Sequence, residues 1–400
     1  MDKNALKYTC LFGGGAVRGA AYVGAIKAMN EVGIHPVNIA GSSVGAIVAA
    51  LLAVGCSYKE IKEIFMEVNF NLFKDLQFGF GPNFALSKGE FFLDWIREHI
   101  EKKYYGKDYE KGKNRAVTFK DIEKNLTVIT TNISTFECQE FSKEETPDFE
   151  IATAVRISSS MPGLMKPYEY NNTLLVDGDL QKSMPMWKLG KGLFNSDERI
   201  LEFRLEGDYE GSDKNALDFV NTVYSCITSI CSSYIADLYG QKDKFDYITL
   251  NTGNVLLVDF NISKEKREEL MKSGYAQTIE YFKNVLPKKK EALLEKYYFI
   301  NKYLNRIKKL ISANKIPKAK FAISEMFVDL CDYKDTIDTN IYDDIRTFND
   351  LFDKNVQHPA LFGKVKLKDS QKVSDVLQSL IKKVSSKVYE IESYLNRFPI

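Results

Sequence analysis

The chain is expected to fold as an α/β protein: a three-layer α/β/α sheet domain followed by a mostly helical C-terminal extension. Three observations lead there. Short aliphatic and β-branched runs alternate with helical patterns as far as residues 247–250, the alternation that builds a largely parallel sheet with helices on its faces. Two of those runs end in glycine-containing turns that open directly into helices, which puts both turns at one edge of the sheet. From residue 287 the strand pattern stops and apolar residues recur at helical spacing. With 400 residues, 44% hydrophobic and 27% charged, residues 1–286 can bury a full core, leaving 287–400 as an extension expected to dock on it.

The elements follow in order. Tyr8-Thr9-Cys10-Leu11-Phe12 reads as the first strand and runs into Gly13-Gly14-Gly15-Ala16-Val17-Arg18-Gly19, then a helix over 20–31. Val37-Asn38-Ile39-Ala40 is a second strand, entering Gly41-Ser42-Ser43-Val44-Gly45 and a small-residue helix. Residues 65–92 carry Phe70, Phe73, Phe78, Phe80 and Phe84 around Gly79, Gly81 and Pro82, too irregular for one helix. That segment is either a loop covering an apolar ligand or an apolar loop tucked on the core. An amphipathic helix is expected over 87–104, a strand over 126–131, and another at Thr173-Leu174-Leu175-Val176, ending in Asp177-Gly178-Asp179. In 288–309 lysines and arginines interleave with apolar residues, a pattern that fits a helix lying on a bilayer and, more commonly, a helix packed on a core with its lysines in water. The stretch 325–353 is acidic, so the two segments are expected to pair within one chain or across a homodimer.

Two of the turns carry chemistry. A G-x-S-x-G pattern between strand and helix is a nucleophile elbow, in which the central serine, here Ser43, is held on a strained turn and Gly41 and Gly45 remove side chains that would meet neighbouring backbone. The glycine turn at 13–19 offers backbone amides for an oxyanion. Its G-x-G-x-x-x-G spacing is one residue too long for a dinucleotide fingerprint, no carboxylate closes the second strand, and no Gly-Lys-Ser or Gly-Lys-Thr follows to make a P-loop. The three histidines, His35, His99 and His358, sit in contexts that do not recommend them, although a Ser-His-Asp triad stays open because triad members need not be close in sequence. Asp177 stands at a strand end beside Gly178. Half-buried there, it has the chemistry of a general base, or it is a turn aspartate bonded to nearby amides.

Taken in order, Gly13-Gly14-Gly15-Ala16-Val17-Arg18-Gly19, Gly41-Ser42-Ser43-Val44-Gly45 and Asp177-Gly178 resemble the patatin-like phospholipases, which use a Ser-Asp dyad without a catalytic histidine. Thr118-Phe119-Lys120-Asp121 and the block 154–163 look like that family's segments, and Val255-Leu256-Leu257-Val258 with the helix after it resembles a closing strand-loop-helix. The resemblance spans residues 7–282. It implies Ser43 as acyl-accepting nucleophile, Asp177 as general base, Gly13, Gly14 and Gly15 as oxyanion amides, and Arg18 as the basic residue that steadies the loop or meets an anionic head group. It also implies hydrolysis of a phospholipid or other lipid ester without metal or cofactor. The alternatives are a phospholipase effector gated by a partner or ligand, and acyl transfer to an acceptor other than water. Two departures stand out: Asp179, where many relatives have glycine or alanine, places a second carboxylate beside the base, and Ser183 replaces an asparagine. If both aspartates face one pocket, repulsion raises one pKa.

Composition bounds the rest. The six cysteines form no C-x-x-C pair and fall mostly in apolar stretches, as reduced thiols of a cytoplasmic protein do. No apolar run is long enough for a membrane span and the first strand follows the amino terminus closely, so any membrane contact is expected to be peripheral. A net charge of +1 and the lack of a nucleic-acid motif exclude nucleic acid as the expected partner.

Overall fold

Strand β1 (Leu6–Phe12) lies near the middle of the main sheet because it is apolar on both faces: Tyr8, Cys10, Leu11 and Phe12 are all buried. In this computed structural model the described residues are 6–70, 85–180, 199–208, 222–224, 226, 245–334, 336–359 and 363–397. The chain divides into two compact units, one ending at Glu280 and the other running from Tyr281.

In the first unit β1 is followed by α1 (Ala20–Glu31), β2 (Ile34–Ser42), α2 (Val44–Ala53) and α3 (Tyr58–Glu67). Then come β3 (Ala85–Ser87), α4 (Glu90–Tyr105), β4 (Asn125–Asn132), β5 (Glu137–Ser142) and α5 (Ile151–Ser158). The short strands β6 (Gly163–Met165) and β7 (Tyr168–Tyr170) precede β8 (Thr173–Asp177), β9 (Arg199–Glu206), β10 (Phe245–Asn251) and α6 (Lys264–Glu280). The main sheet has the order β10-β9-β1-β2-β4-β8-β7, with β5 also on β4. Strands β10, β9, β1, β2 and β4 are parallel, whereas β5, β7 and β8 join antiparallel. The helices fall into two groups, α1 with α3 and α6, and α2 with α4 and α5, and both groups pack on sheet strands. The α/β class with flanking helices is therefore the one observed.

Local chemistry explains the borders. Helix α3 starts on a capping box between Ser57 and Glu60, and its last carbonyls are taken by the buried guanidinium of Arg267 on α6, which donates to Phe65 and Val68 oxygens at 3.1 and 2.7 Å. The amphipathic helix expected at 87–104 is α4. The strand expected at 255–258 does not form. Its backbone is committed elsewhere: Val255 O accepts Arg18 Nε at 2.7 Å and Leu257 O accepts Val17 N–H at 3.4 Å, so this turn braces the glycine loop instead of extending the sheet. Most of the phenylalanine-rich loop, and Ser183, lie outside the described residues.

The second unit contains α7 (Leu286–Ser312), α8 (Ile316–Tyr333), α9 (Thr339–Asn355), a two-stranded ribbon of β11 (Val356–Gln357) and β12 (Lys366–Leu367), and α10 (Ser370–Arg397). Its core gathers Tyr297, Leu304, Met326, Phe348, Phe352 and Val384. Apolar side chains of the basic stretch, Leu293, Tyr297, Ile300, Leu304 and Ile307, are thus used in helix packing, the commoner of the two alternatives for that segment. An ion pair joins the basic and acidic stretches directly, Arg306 to Glu325 at 2.8 Å. No helix among the described residues is long and apolar enough to cross a membrane.

Candidate active site

The site is built where two strands meet end to end. Strand β5 occupies one hydrogen-bonding edge of β4 over Thr127–Asn132. The other edge is shared: β2 pairs up to Ser42 opposite Ile129, and β8 takes over with Asp177 opposite Thr130. A strand has only two edges, so the point where β2 leaves the sheet is the point where β8 arrives. Ser43, the first residue after β2, and Asp177, the last of β8, come to the same level of β4 by this register alone.

Ser43 then turns the chain into α2 with φ 52° and ψ −127°, a backbone conformation uncommon for a residue with a side chain. The crowding around it explains the glycines. A Cβ on Gly45 would stand 2.0 Å from the Phe12 carbonyl oxygen, one on Gly41 2.2 Å from the Gly45 oxygen, and one on Gly178 2.2 Å from the Ile129 oxygen. Helix α5 staples the elbow to the sheet: Ser158 Oγ accepts the Ser43 amide at 2.9 Å and donates to Ile129 O at 2.5 Å. Two residues on, Ser160 O accepts the Asp177 amide at 3.0 Å. One short serine run therefore holds both Ser43 and Asp177.

Asp177 is fully buried. Its Oδ1 accepts the Asp179 amide at 2.9 Å and the Tyr224 hydroxyl at 2.7 Å, whereas Oδ2 has no hydrogen-bond partner among the described residues. Burial, and then the charge of Asp179, push its pKa up to about 7, against the Asp179 amide and the Ser43 and Tyr224 hydroxyls, which draw it down. Burial and the same two carboxylates raise the Tyr224 pKa, so its hydroxyl keeps its proton and remains a donor.

The three glycines of the loop are not equivalent. Gly13 N–H is spent in the sheet on Phe203 O at 3.0 Å, and Gly14 N–H donates to Asp179 Oδ2 at 3.0 Å. The Gly15 amide, at φ 148°, makes no hydrogen bond among the described residues. The same holds for the amide of Val44, at the positive end of α2. Arg18 is buried with Nε on Val255 O, and lines a small recess with Gly15, Asp179, Arg204 and Tyr224.

Sequence reasoning did not find Tyr224, the serine staple, or the buried pair Glu202 and Arg204 on β9. Arg204 Nε donates to Glu202 Oε1 at 2.6 Å and its Nη1 to Asp179 Oδ1 at 3.3 Å. Opposite charges two residues apart in an otherwise apolar strand, Leu201-Glu202-Phe203-Arg204-Leu205, were a readable signal, since alternate residues share a face. Among the described residues no histidine hydrogen-bonds to Ser43 or Asp177. His35 is level with Lys7 in the sheet, His99 packs edge-on against Trp95 at 5.2 Å, and His358 is exposed.

A family described as Patatin-like phospholipase matches residues 11–188. An uncharacterized protein of Acanthamoeba polyphaga mimivirus is 32% identical over 284 residues, covering 68% of this chain and 93% of that one. A protein of Invertebrate iridescent virus 6 named "Probable lipid hydrolase" is 29% identical over 185 residues, 44% of this chain and 61% of its own length. Among solved structures, VipD from Legionella pneumophila aligns over 94% of this chain and 91% of its own, with 17% identity and a TM-score of 0.48. The chain belongs to the patatin-like phospholipase family, a family of lipid hydrolases.

Proposed function

We propose that this protein hydrolyses phospholipids or related lipid esters through an acyl-enzyme on Ser43, with Asp177 as general base. The observation that carries the reading is the end-to-end meeting of β2 and β8 on one edge of β4, which brings a strained serine and a buried carboxylate to one level. In the acylation step Ser43 Oγ bonds to the ester carbonyl carbon as its proton passes to Asp177. The tetrahedral intermediate collapses by expelling the alcohol, which takes that proton. Water repeats the sequence on the acyl-enzyme and releases the fatty acid. The amides of Gly15 and Val44 are the donors left for the oxyanion, because those of Gly13 and Gly14 are already engaged.

A fluorophosphonate ester tests this directly, since Ser43 Oγ displaces fluoride from phosphorus only if its proton is removed. The expected result is one adduct, located at Ser43 by mass spectrometry and missing from Ser43→Ala. An adduct elsewhere, or equal labelling of the variant, rules the assignment out. Because the base must be deprotonated, the labelling rate should rise with pH through about 7, the value to which Asp177 is raised. A rate flat across that region assigns the base to another group.

A gated form of this reading has its own support. Ser43 is only 5% exposed and Asp177 0%, a burial that fits a pair reached by lipid on opening of the site. Labelling that rises several-fold when phospholipid vesicles are added is the expected sign of gating by substrate surface, and identical rates with and without vesicles count against it.

A further inference from the structure

We propose that Asp179 is a positioning residue for acylation, its carboxylate tying the glycine loop, the residue before the nucleophile and strand β9 into one frame around Asp177. This rests on the roles of Ser43 and Asp177 proposed above. Both carboxylate oxygens of Asp179 and its amide are engaged across the site. Oδ1 accepts the Ser42 hydroxyl at 2.5 Å and Arg204 Nη1 at 3.3 Å, Oδ2 accepts Gly14 N–H at 3.0 Å, and its own amide donates to Asp177 Oδ1 at 2.9 Å. One side chain thus bridges segments 165 and 137 residues away in sequence.

Charge gives the frame its second property. Asp179 is 3% exposed, and a carboxylate so buried needs a partner. Arg204 supplies it while also paired with Glu202, which leaves two carboxylates sharing one guanidinium. Burial works against the Arg204 charge, but Glu202 and Asp179 outweigh it and keep the guanidinium protonated. Burial raises the pKa of Glu202, an effect that Arg204 only partly offsets. The groups facing Asp177 are Asp179 from the turn after β8, Ser43 from the start of α2, and Tyr224. Beyond them stand Arg204 and Glu202 on β9 and Arg18 from the glycine loop. Arg156 on α5 donates to Ser160 Oγ and to Lys88 O. In this set Asp179 is the negative charge nearest the base. Its removal makes Asp177 easier to deprotonate and at the same time a weaker acceptor for the serine proton.

The fluorophosphonate labelling rate of full-length wild type and Asp179→Asn, followed from about pH 5 to about pH 9, separates the outcomes. The wild-type midpoint is expected near the raised Asp177 value of about 7. In Asp179→Asn the midpoint should move to lower pH by about one unit and the plateau should fall several-fold. A lower plateau with an unmoved midpoint means that Asp179 only supports the fold, and an unchanged profile means that it does neither; both overturn the proposal. If Asp179→Asn fails to fold, Asp179→Gly, the residue expected there from the resemblance, carries the same prediction for the midpoint. Wild type that gains no adduct at Ser43 overturns the functional reading, and this inference with it, and is told apart from the other outcomes because it needs no variant.

Discussion

Asp177→Asn is expected to slow acylation of Ser43 by about 10²–10⁴-fold while leaving the protein folded and, above neutral pH, more stable than wild type. Both halves follow from the same burial. An asparagine oxygen at Oδ1 can still accept the Asp179 amide and the Tyr224 hydroxyl, so the turn after β8 keeps its bonds, but nothing remains to take the serine proton. For stability the sign is fixed by linkage. The folded Asp177 pKa is raised from 3.8 to about 7, so its stabilising contribution is complete below the unfolded value and is lost as pH rises through the folded one. Asparagine has no such loss. Thermal unfolding of both proteins at about pH 5 and about pH 8 checks this. The variant should gain on wild type at the higher pH, and a variant equally or less stable there means that Asp177 is not held in the raised state.

The second large effect is structural. Gly45→Ala is expected to destabilise the first unit by about 3 kcal/mol or more, because the new Cβ meets the Phe12 oxygen at 2.0 Å and the Gly13 oxygen at 2.6 Å. Those atoms are main chain at the end of a central strand and have no rotamer by which to yield. Relief requires α2 to lift from β1, which shifts the elbow and the glycine loop apart. On the order of 5–10 °C should be lost from the unfolding midpoint, and labelling of Ser43 should fall further than the loss of folded protein explains. Unchanged unfolding would mean that helix and strand stand farther apart than these contacts require.

The parts of this arrangement that the sequence exposes are those in which one short segment carries both the element and its exception. An apolar run followed by Gly-x-Ser-x-Gly announces strand, strained turn and helix within fifteen residues, and the start of α2 at Val44 agrees. The same holds for the strand that ends at Asp177. What stayed hidden depends on distant segments. The chain leaves the strand at Asp177 and folds back in a short 3-10 turn, and Asp179 reaches the environment of Asp177 through that turn, a change of backbone that the spacing alone does not announce. Tyr224 has no local pattern that marks it as a donor to Asp177. The 255–258 run was misread as a strand because its β-branched, aliphatic composition suits any buried extended backbone. Arg18 and Val17, more than 230 residues earlier, take its carbonyl groups.

Helix α1, which leaves the glycine loop, crosses α6 at two glycines: a Cβ on Gly24 would lie 1.8 Å from Met271 O, and one on Gly274 2.1 Å from Ala21 O. The helix that supports the loop at the start of the chain is thus covered by the last helix of the first unit. During synthesis at roughly 5–20 residues per second, the buried face of α1 waits on the order of 12–50 s for its cover to leave the ribosome. Over that interval Ser43 and the loop already exist as sequence but lack the brace that sets their distance. A nascent chain arrested before Lys264 should therefore take no fluorophosphonate, while one arrested well beyond Glu280 should, making hydrolytic competence a late event in the life of the polypeptide.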